Sequence, residues 1–230
     1  MEEKIEIKVI GHIYNDYKEK FGIPRQSGLA KSMISKIVFA KEFSSKDYFK
    51  GLEKFSHIWL LWQFSETIGT DITPTVRPPK LGGNERVGVY ATRSPFRPNN
   101  IGLSSVKIEK IDFEEQVGTV IYVSGADIMN GTPIYDIKPY LPYTDIHTDA
   151  TNGFAFDETK GILNIECSNE LLSKFPEDML EGLFETLKFD PRPSYQNDSN
   201  RIYGMSYGNY EIKFKVENDK LTITDIQETK

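Results

Sequence analysis

Cysteine is almost absent from this 230-residue sequence, in which Cys167 stands alone. A single thiol excludes an internal disulfide and any metal site built from several cysteines. Histidine is also scarce, and His12, His57 and His147 are too scattered to form a zinc motif. We therefore expect no metal.

Long apolar runs are missing as well. No run reaches the roughly 18 residues that a transmembrane helix requires. The acidic start at Met1–Lys4 lacks the basic and then apolar pattern of a signal peptide. We expect a cytoplasmic protein without membrane contact. The glycine signatures of Rossmann and P-loop sites are absent, so neither type of nucleotide site is expected.

The patterns that are present indicate a mainly β protein. Apolar and polar residues alternate in many short segments, and one helix is predicted at Ser45–Lys54, with Tyr48, Leu52 and Phe55 on one face. No βαβ alternation occurs, which favours a closed or sandwiched β architecture. The predicted strands are Ile5–Val9, Lys36–Ala40, His57–Phe64, Arg86–Thr92, Ser104–Phe113, Val117–Ser124 and Pro133–Ile137.

The last third has a different composition. A polar stretch at residues 144–160 precedes a predicted strand at Ile162–Cys167 and a helix at Glu177–Lys188. The chain then ends in a predicted hairpin, Tyr210–Val216 and Lys220–Ile226, which turns at Asn218-Asp219. We therefore expect a β domain at residues 1–150 and a small α+β domain at residues 155–230.

Charge is distributed unevenly along the chain, whose net charge is −6. The segment Arg77–Ser104 holds five basic side chains against Glu85 alone, a net charge of +4. Its first part, Arg77–Asn84, combines two prolines with two glycines, and its second part, Gly88–Ser104, holds Arg93 and Arg97 among prolines. Arginine forks bind phosphates and carboxylates and also stack on bases. We favour an anion site over simple pairing with carboxylates elsewhere.

Three further segments have two interpretations each. In Asp127–Tyr143, Asn130-Gly131 indicates a turn, and Asp136 shares a strand face with Lys138. Such a carboxylate can act as a base or accept from hydroxyl or amino groups, although spacing alone favours a turn and a surface ion pair. The Pro24–Gln26 loop can be a plain connection, and Phe55–Phe64 is interpreted as a buried strand and not as a binding surface.

Together these segments resemble the TrmO (YaeB-like) family of tRNA adenine-N6-methyltransferases. The resemblance covers nearly the whole chain, and the Arg93–Ser104 string is highly specific. It implies a small closed β-barrel outside the Rossmann class, S-adenosylmethionine as cofactor, tRNA as substrate and a homodimer. It also implies methylation at N6 of threonylcarbamoyladenosine beside the anticodon. The matching segments are Pro24–Gln26, Phe55–Trp59, Arg77–Asn84, Gly88–Ser104, Asn130–Tyr143, Asp190–Gln196 and Tyr203–Met205.

The resemblance also implies functional residues. The positions that correspond to family cofactor contacts are Pro24, Arg25, Gln26, Ser65, Glu66, Arg93, Leu103, Asp127, Ile128, Met129, Asn130, Gly131, Thr132 and Pro133. Asn130 stands where many members have Asp, and Ser65-Glu66 stands where His-Gln is common. We expect tRNA contacts from Arg77, Arg86, Arg97, Asn99, Lys138 and Tyr140. The catalytic candidates are Asp127 and Asp136, either of which can take a proton or orient the nucleotide, and Arg97.

Two other functions are compatible with the sequence. A non-catalytic β-barrel can bind RNA through the same basic loop, and its binding would be indifferent to S-adenosylmethionine. Alternatively, an S-adenosylmethionine-dependent enzyme can methylate a small molecule, since a second basic region is absent.

Overall fold

A computed structural model describes residues 5–78, 81, 84–113, 116–155, 162–192, 196 and 198–229. Among these residues, eight strands lie in the first part of the chain: β1 (Gly11–Tyr14), β2 (Ile34–Phe39), β3 (His57–Gln63), β4 (Thr75–Val76), β5 (Val87–Gly88), β6 (Ile101–Asp112), β7 (Val120–Ser124) and β8 (Thr132–Pro139). Six of them close into an antiparallel barrel in the order β1-β2-β7-β6-β3-β8, and β4 pairs with β5 outside it. The predicted closed, mainly β fold is confirmed.

The barrel interior follows from the period-2 alternation of its strands. In β3, Ile58 and Leu60 are fully buried, whereas Trp59 between them is half-buried on the outer face. The inward-facing residues of β3 pair with inward-facing residues of β6, because Ile58 lies opposite Val106 and Leu60 lies opposite Ser104. Ser104 is thus a buried polar residue of the barrel wall.

A smaller α+β unit follows the barrel. Its strands are β9 (Asn164–Glu166), β10 (Tyr203–Tyr207), β11 (Tyr210–Glu217) and β12 (Lys220–Glu228) in the sheet order β10-β11-β12-β9. The α-helices in the described part of the chain are α1 (Pro142–Asp145), α2 (Asn169–Leu172) and α3 (Glu177–Lys188). The predicted bounds of α3 are confirmed, and so is the hairpin, in which Asn218 has a φ of 55° at the turn.

The small unit packs against the segment that follows β1. The buried Tyr17 hydroxyl and Thr186 Oγ1 of α3 lie 3.0 Å apart in a hydrogen bond. The backbone N–H of Gly208 donates to the carbonyl of Asp16 at 2.9 Å. Buried apolar residues of both units belong to one core. The small unit is therefore fixed next to the loop at residues 22–28, which follows the same segment.

The predicted strand at Ile5–Val9 is wrong. This segment has no regular structure, and Ile5 and Ile7 are 81% and 51% exposed. The reason is the length of its neighbour, because β2 ends at Phe39 and the chain turns into a 3-10 helix at Lys41. Without a partner strand, the alternating pattern has no ladder to join.

The predicted helix at Ser45–Lys54 is also wrong. Two 3-10 helices, Lys46–Phe49 and Leu52–Lys54, are separated by Gly51, whose φ of 93° is incompatible with a continuous helix. Phe49 is buried, whereas Tyr48, which was predicted to share one helix face with Leu52 and Phe55, is 66% exposed.

The predicted strand at Arg86–Thr92 is likewise mostly wrong. Only Val87 and Gly88 pair in a sheet, and a 3-10 turn at Val89–Ala91 follows at once. Val89 is buried and its backbone N–H donates to the carbonyl of Pro74 at 3.0 Å. Because the chain turns here, the loop that follows does not extend the sheet. Its residues Arg93 and Arg97 lie next to the barrel instead.

Candidate functional site

A cavity of about 590 Å³ opens where the barrel meets two loops. One loop lies at residues 24–26 and the other at residues 90–99, while strands β3 and β6 supply the wall. The cavity is lined by Pro24, Arg25, Gln26, Trp59, Trp62, Phe64, Tyr90, Thr92, Arg93, Arg97, Pro98, Asn99, Ile101, Gly102, Leu103 and Asp127. Its size lies within the range of about 300–1,000 Å³ that small-molecule sites occupy.

A close backbone approach brings the first loop to the end of β7. Gly125 follows β7 with a φ of 78°, and its carbonyl accepts from the Gly28 N–H at 2.8 Å. A Cβ at Gly125 would lie 3.2 Å from the Gly28 Cα, so a side chain there would push the loop away. This contact sets Gln26 and Asp127 on the same cavity.

The second loop is rigid because its polar groups bond within it. The Asn100 side-chain amide donates to the Pro95 carbonyl at 2.7 Å, and the Arg97 backbone N–H donates to the same carbonyl at 2.8 Å. Ser94 N–H donates to Thr92 Oγ1 at 3.2 Å. Two prolines further restrict the loop and lower the entropy lost on ordering it. The loop thus presents Arg93 and Arg97 in fixed places.

The two arginines keep most of their donors for a ligand. Arg93 Nη1 donates to Gln26 Oε1, which joins the two loops across the cavity. Arg97 Nη1 donates to the Thr92 carbonyl at 3.2 Å. A guanidinium has five N–H donors, so these bonds orient each fork without exhausting it. The arrangement suits a carboxylate or phosphate.

Asp127 is the one carboxylate among the described residues that line the cavity. Its Oδ1 accepts a hydrogen bond from Ser104 Oγ at 2.6 Å. Burial raises its pKa above that of an ordinary aspartate, and the Ser104 hydrogen bond and the Arg93 charge oppose that rise. A carboxylate with a raised pKa is a better proton acceptor when ionised, which is the property that a general base requires.

The apolar wall consists mainly of aromatic rings. Trp62 and Phe64 pack edge to face with their centroids 4.3 Å apart. A Cβ at Gly102 would lie 2.2 Å from the Trp62 ring, so only glycine lets this ring lie flat on β6. Tyr90 stands at the rim and is 77% exposed. Such rings suit a flat, partly apolar ligand such as a nucleobase.

Eight residues predicted from the sequence meet in this cavity. They are Pro24, Arg25, Gln26, Arg93, Arg97, Asn99, Leu103 and Asp127. They come from three separate parts of the chain, and the fold brings them together. Their individual roles stay predictions.

Other predicted cofactor residues do not line the cavity. Ser65 and Glu66 lie in a 3-10 turn after β3. Ile128 is buried in the barrel core. Asn130 Oδ1 accepts from the Asn15 backbone N–H at 3.0 Å, so its side chain braces the turn before β8. The remaining residues of this turn, in and beside β8, are Met129, Gly131, Thr132 and Pro133, and the φ of Gly131 is 79°, as a turn requires.

The predicted tRNA-binding and catalytic residues outside the cavity lie on the surface or on strand faces. Arg86 Nε donates to Thr75 Oγ1 at 2.7 Å, beside the exposed Arg77. Asp136 and Lys138 of β8 form an ion pair at 2.8 Å. The Tyr140 ring lies 5.4 Å from the Trp59 ring. The residues Pro79, Lys80, Gly82 and Gly83 of the basic segment, and Pro193–Tyr195 of the resemblance, fall outside the described residues.

The sequence did not predict four contributors to the site. Phe55–Phe64 does contain a strand, but Trp59, Trp62 and Phe64 also line the cavity. Ser104 was predicted as a strand residue and as the end of the Arg93–Ser104 string, but it was assigned no role in the site. The sequence did contain one signal for the aromatic wall. Trp62 and Phe64 are two residues apart at a strand end, so their rings belong to the same face of the strand.

Within the described ranges, no helix is long and apolar enough to cross a membrane. Among the same residues, no three His, Cys, Asp or Glu side chains are placed to hold a metal ion.

Fold and cavity together define a β-barrel protein with a cavity lined by arginines, an aspartate and aromatic rings. Family models agree with the resemblance noted in the sequence. The model described as tRNA-methyltransferase O N-terminal domain matches residues 12–146, and the TrmO C-terminal domain model matches residues 163–229. The chain belongs to the TrmO family.

Similar proteins and solved structures support the same family assignment. A tRNA (adenine(37)-N6)-methyltransferase from Escherichia coli is 37% identical over 216 residues, which span 90% of this chain and 91% of the relative. A protein from Pyrococcus abyssi, named a probable S-adenosyl-L-methionine-binding protein, is 35% identical over 147 residues, which span 63% and 73%. The crystal structure of TrmO from Pseudomonas aeruginosa has a TM-score of 0.78 and 29% identity, and the match covers 98% of this chain and 100% of that chain.

Proposed function

We propose that this protein is an S-adenosylmethionine-dependent methyltransferase that modifies N6 of adenine 37 in tRNA, with threonylcarbamoyladenosine as the base it modifies. Membership of the family and the names of its relatives support the enzyme class and the cofactor. The observation that carries the proposal is the cavity in which Arg93, Arg97 and Asp127 face aromatic rings.

The lining residues fit S-adenosylmethionine by chemical type. An adenine ring can stack on the aromatic wall, and ribose hydroxyls can donate to Asp127. The methionine carboxylate suits the fork of Arg93, which is oriented by Gln26. Pro24, Arg25 and Leu103 complete the enclosure. When bound, the cofactor supplies a methyl group on a positively charged sulfur, already activated for transfer to a nucleophile.

The protein contributes position and proton transfer. The N6 lone pair is delocalised into the adenine ring and the attached carbonyl, so this nitrogen is a weak nucleophile. Holding it in line with the methyl group is therefore the main requirement. The nitrogen must also lose a proton, and Asp127, with its raised pKa, is the cavity residue suited to accept it. Arg97 binds an anionic group of the modified nucleotide.

The tRNA surface extends beyond the cavity in this proposal. The basic segment supplies Arg77, Arg86 and Asn99, and β8 and its end supply Lys138 and Tyr140. Anticodon loops are recognised through splayed bases and shape, so a few aromatic and basic contacts suffice. Binding should weaken as salt rises, because phosphate contacts release counterions.

Domain roles and assembly form a further part of the proposal. Residues 1–150 act as the cofactor-binding barrel, and residues 155–230 assist in docking tRNA. A homodimer is supported by exposed apolar residues at the cavity rim, since Tyr90, Phe96 and Leu103 are 77%, 43% and 56% exposed. Sedimentation velocity at micromolar concentration tests this point. The enzyme would act in the cytoplasm, where its proposed substrate is found.

Nucleoside mass spectrometry tests the proposed function. Purified protein is incubated with tRNA that carries threonylcarbamoyladenosine, with and without S-adenosylmethionine, and the tRNA is digested to nucleosides. A mass gain of one methyl group on that nucleoside, dependent on cofactor, is expected. Cofactor-independent tRNA binding without any mass gain would indicate a binding protein. Methylation of small molecules but not of tRNA would indicate another acceptor, and methylation of unmodified adenine 37 would overturn the threonylcarbamoyl assignment.

A further inference from the structure

We propose that Ser104 and Trp62 are positioning residues of the site, which hold the Asp127 carboxylate in place through a buried hydrogen-bond relay. This inference rests on the proposed function, in which Asp127 accepts the proton. Trp62 Nε1 donates to Ser104 Oγ at 3.0 Å, and Ser104 Oγ donates to Asp127 Oδ1 at 2.6 Å.

The direction of the relay follows from donor chemistry. An indole N–H is a donor only, so Ser104 Oγ must be the acceptor in its bond with Trp62. A serine hydroxyl has a single hydrogen, which is then left for Asp127. The Oγ–Oδ1 distance of 2.6 Å lies in the range of O–H···O⁻ bonds, about 2.5–2.7 Å. The relay therefore favours the ionised form of Asp127.

Packing fixes the relay in one geometry. Ser104 is 1% exposed and Trp62 is 7% exposed, so water does not compete for their hydrogen bonds. The Trp62 ring lies over Gly102 on one side and packs edge to face against Phe64 on another. This packing holds the indole N–H in hydrogen-bonding position to Ser104 Oγ. That bond in turn directs the Ser104 hydroxyl hydrogen toward Asp127.

Several other groups act on Asp127 and set the background for a pH test. Burial is the largest influence and raises its pKa. Besides Ser104, the Arg93 charge and the backbone N–H groups of Asp127 itself and Ser27 lower it. Arg25 and Arg97 share the cavity, and the buried Tyr17 phenol is close enough for the Asp127 charge to raise the pKa of the phenol. These groups remain in a Ser104 variant, so the contribution of its hydroxyl can be isolated.

The test is the pH dependence of methyl transfer by Ser104→Ala. Loss of the donor removes a bond to the charged form, so the pKa of Asp127 rises further and the acid limb of kcat/KM moves to higher pH. We expect kcat/KM to fall roughly tenfold near neutral pH, as for loss of one hydrogen bond to a charged group. The deficit should shrink as pH rises, because Asp127 then ionises in the variant too.

Ser124 provides a matched control on the neighbouring strand. It is buried, and its Oγ donates to Glu109 Oε1 at 2.6 Å, outside the cavity. Ser124→Ala therefore deletes a serine–carboxylate bond of the same length from the same barrel. Its pH profile should coincide with that of the wild type. An equal loss of rate at every pH in Ser104→Ala, or the same shift in both variants, would overturn the inference.

A second variant decides the matter if Ser104→Ala does not fold. Trp62→Phe keeps an aromatic ring at this position but removes the N–H, so Ser104 loses its fixed orientation while it can still donate. A smaller shift of the acid limb in the same direction is expected, and an unshifted limb contradicts the relay. If the wild type transfers no methyl group to tRNA at any pH, the proposed function fails instead.

Discussion

Asp127 and Asp136 lie on consecutive parts of the chain, yet the fold gives the two carboxylates opposite surroundings. Asp127 follows β7, faces the cavity and accepts from the buried Ser104 hydroxyl at 2.6 Å. Asp136 lies in β8, is 46% exposed and pairs with Lys138 at 2.8 Å. The charge of Asp127 is therefore set by buried neighbours, whereas Asp136 belongs to an ion pair in contact with water.

The difference has chemical consequences. Desolvation raises the pKa of Asp127 and makes its proton affinity sensitive to each neighbour. An exposed pair such as Asp136–Lys138 is weakened by solvent and salt and contributes little to stability. Since the sequence offered both carboxylates as catalytic candidates, this contrast assigns the role in our proposal to Asp127. Substitutions at Asp127, Arg97 and Asp136 test this proposed site, from the largest expected effect to the smallest.

Asp127→Asn should have the largest effect. The amide keeps the shape and can still accept from Ser104, but it cannot take a proton. We expect kcat/KM for tRNA methylation to fall by about 10²–10⁴-fold, the usual contribution of a general base. Calorimetry with S-adenosylmethionine separates two causes, because unchanged affinity indicates lost proton transfer and reduced affinity indicates a cofactor contact. A variant within about threefold of the wild type would remove Asp127 from the mechanism.

Arg97→Ala should have the next largest effect. Arg97 is half-buried and held by the Thr92 carbonyl, and the proposal gives it an anionic group of the substrate. Loss of such a charge-assisted contact should lower methylation roughly tenfold to a hundredfold, with the thermal midpoint nearly unchanged.

Arg97→Lys is the matched variant for this test. It keeps the charge but loses the planar fork. Partial recovery of activity is expected, and full activity in Arg97→Ala contradicts a role for this side chain.

One part of the candidate site, the loop that holds Arg93 and Arg97, could be predicted from local sequence, whereas Pro24–Gln26 and Leu103 followed only from the family resemblance. The proline-rich loop around Arg93 and Arg97 indicated a rigid anion site, and the structure places both side chains in the cavity. Local chemistry sufficed there, because prolines and glycines act on their own segment. The turn at Asn130-Gly131 and the final hairpin were predictable for the same reason.

Contacts between distant segments could not be predicted in this way. The Ser104–Asp127 bond depends on β6 and the end of β7 meeting, and the Asn15–Asn130 bond depends on β1 meeting β8. Alternation showed that Trp62 belongs to a strand but not that the strand ends at a cavity. Local patterns also gave a wrong prediction for the helix at Ser45–Lys54, which the positive φ of Gly51 divides into two short 3-10 helices. β1 and β10 were not predicted as strands at all.

Asp136→Asn should have the smallest effect and completes the comparison. It breaks the Lys138 pair, in which both side chains are largely exposed, so methylation should change by less than about threefold and unfolding free energy by less than about 1 kcal/mol. Asp225→Asn, which disturbs the Lys213–Asp225 pair on β11 and β12, measures what such a loss costs the fold. The contrary outcome is that Asp136→Asn reduces kcat as strongly as Asp127→Asn, while its thermal midpoint equals that of Asp225→Asn. In that case Asp136 of β8 is the residue that accepts the proton, and burial does not determine which carboxylate is catalytic.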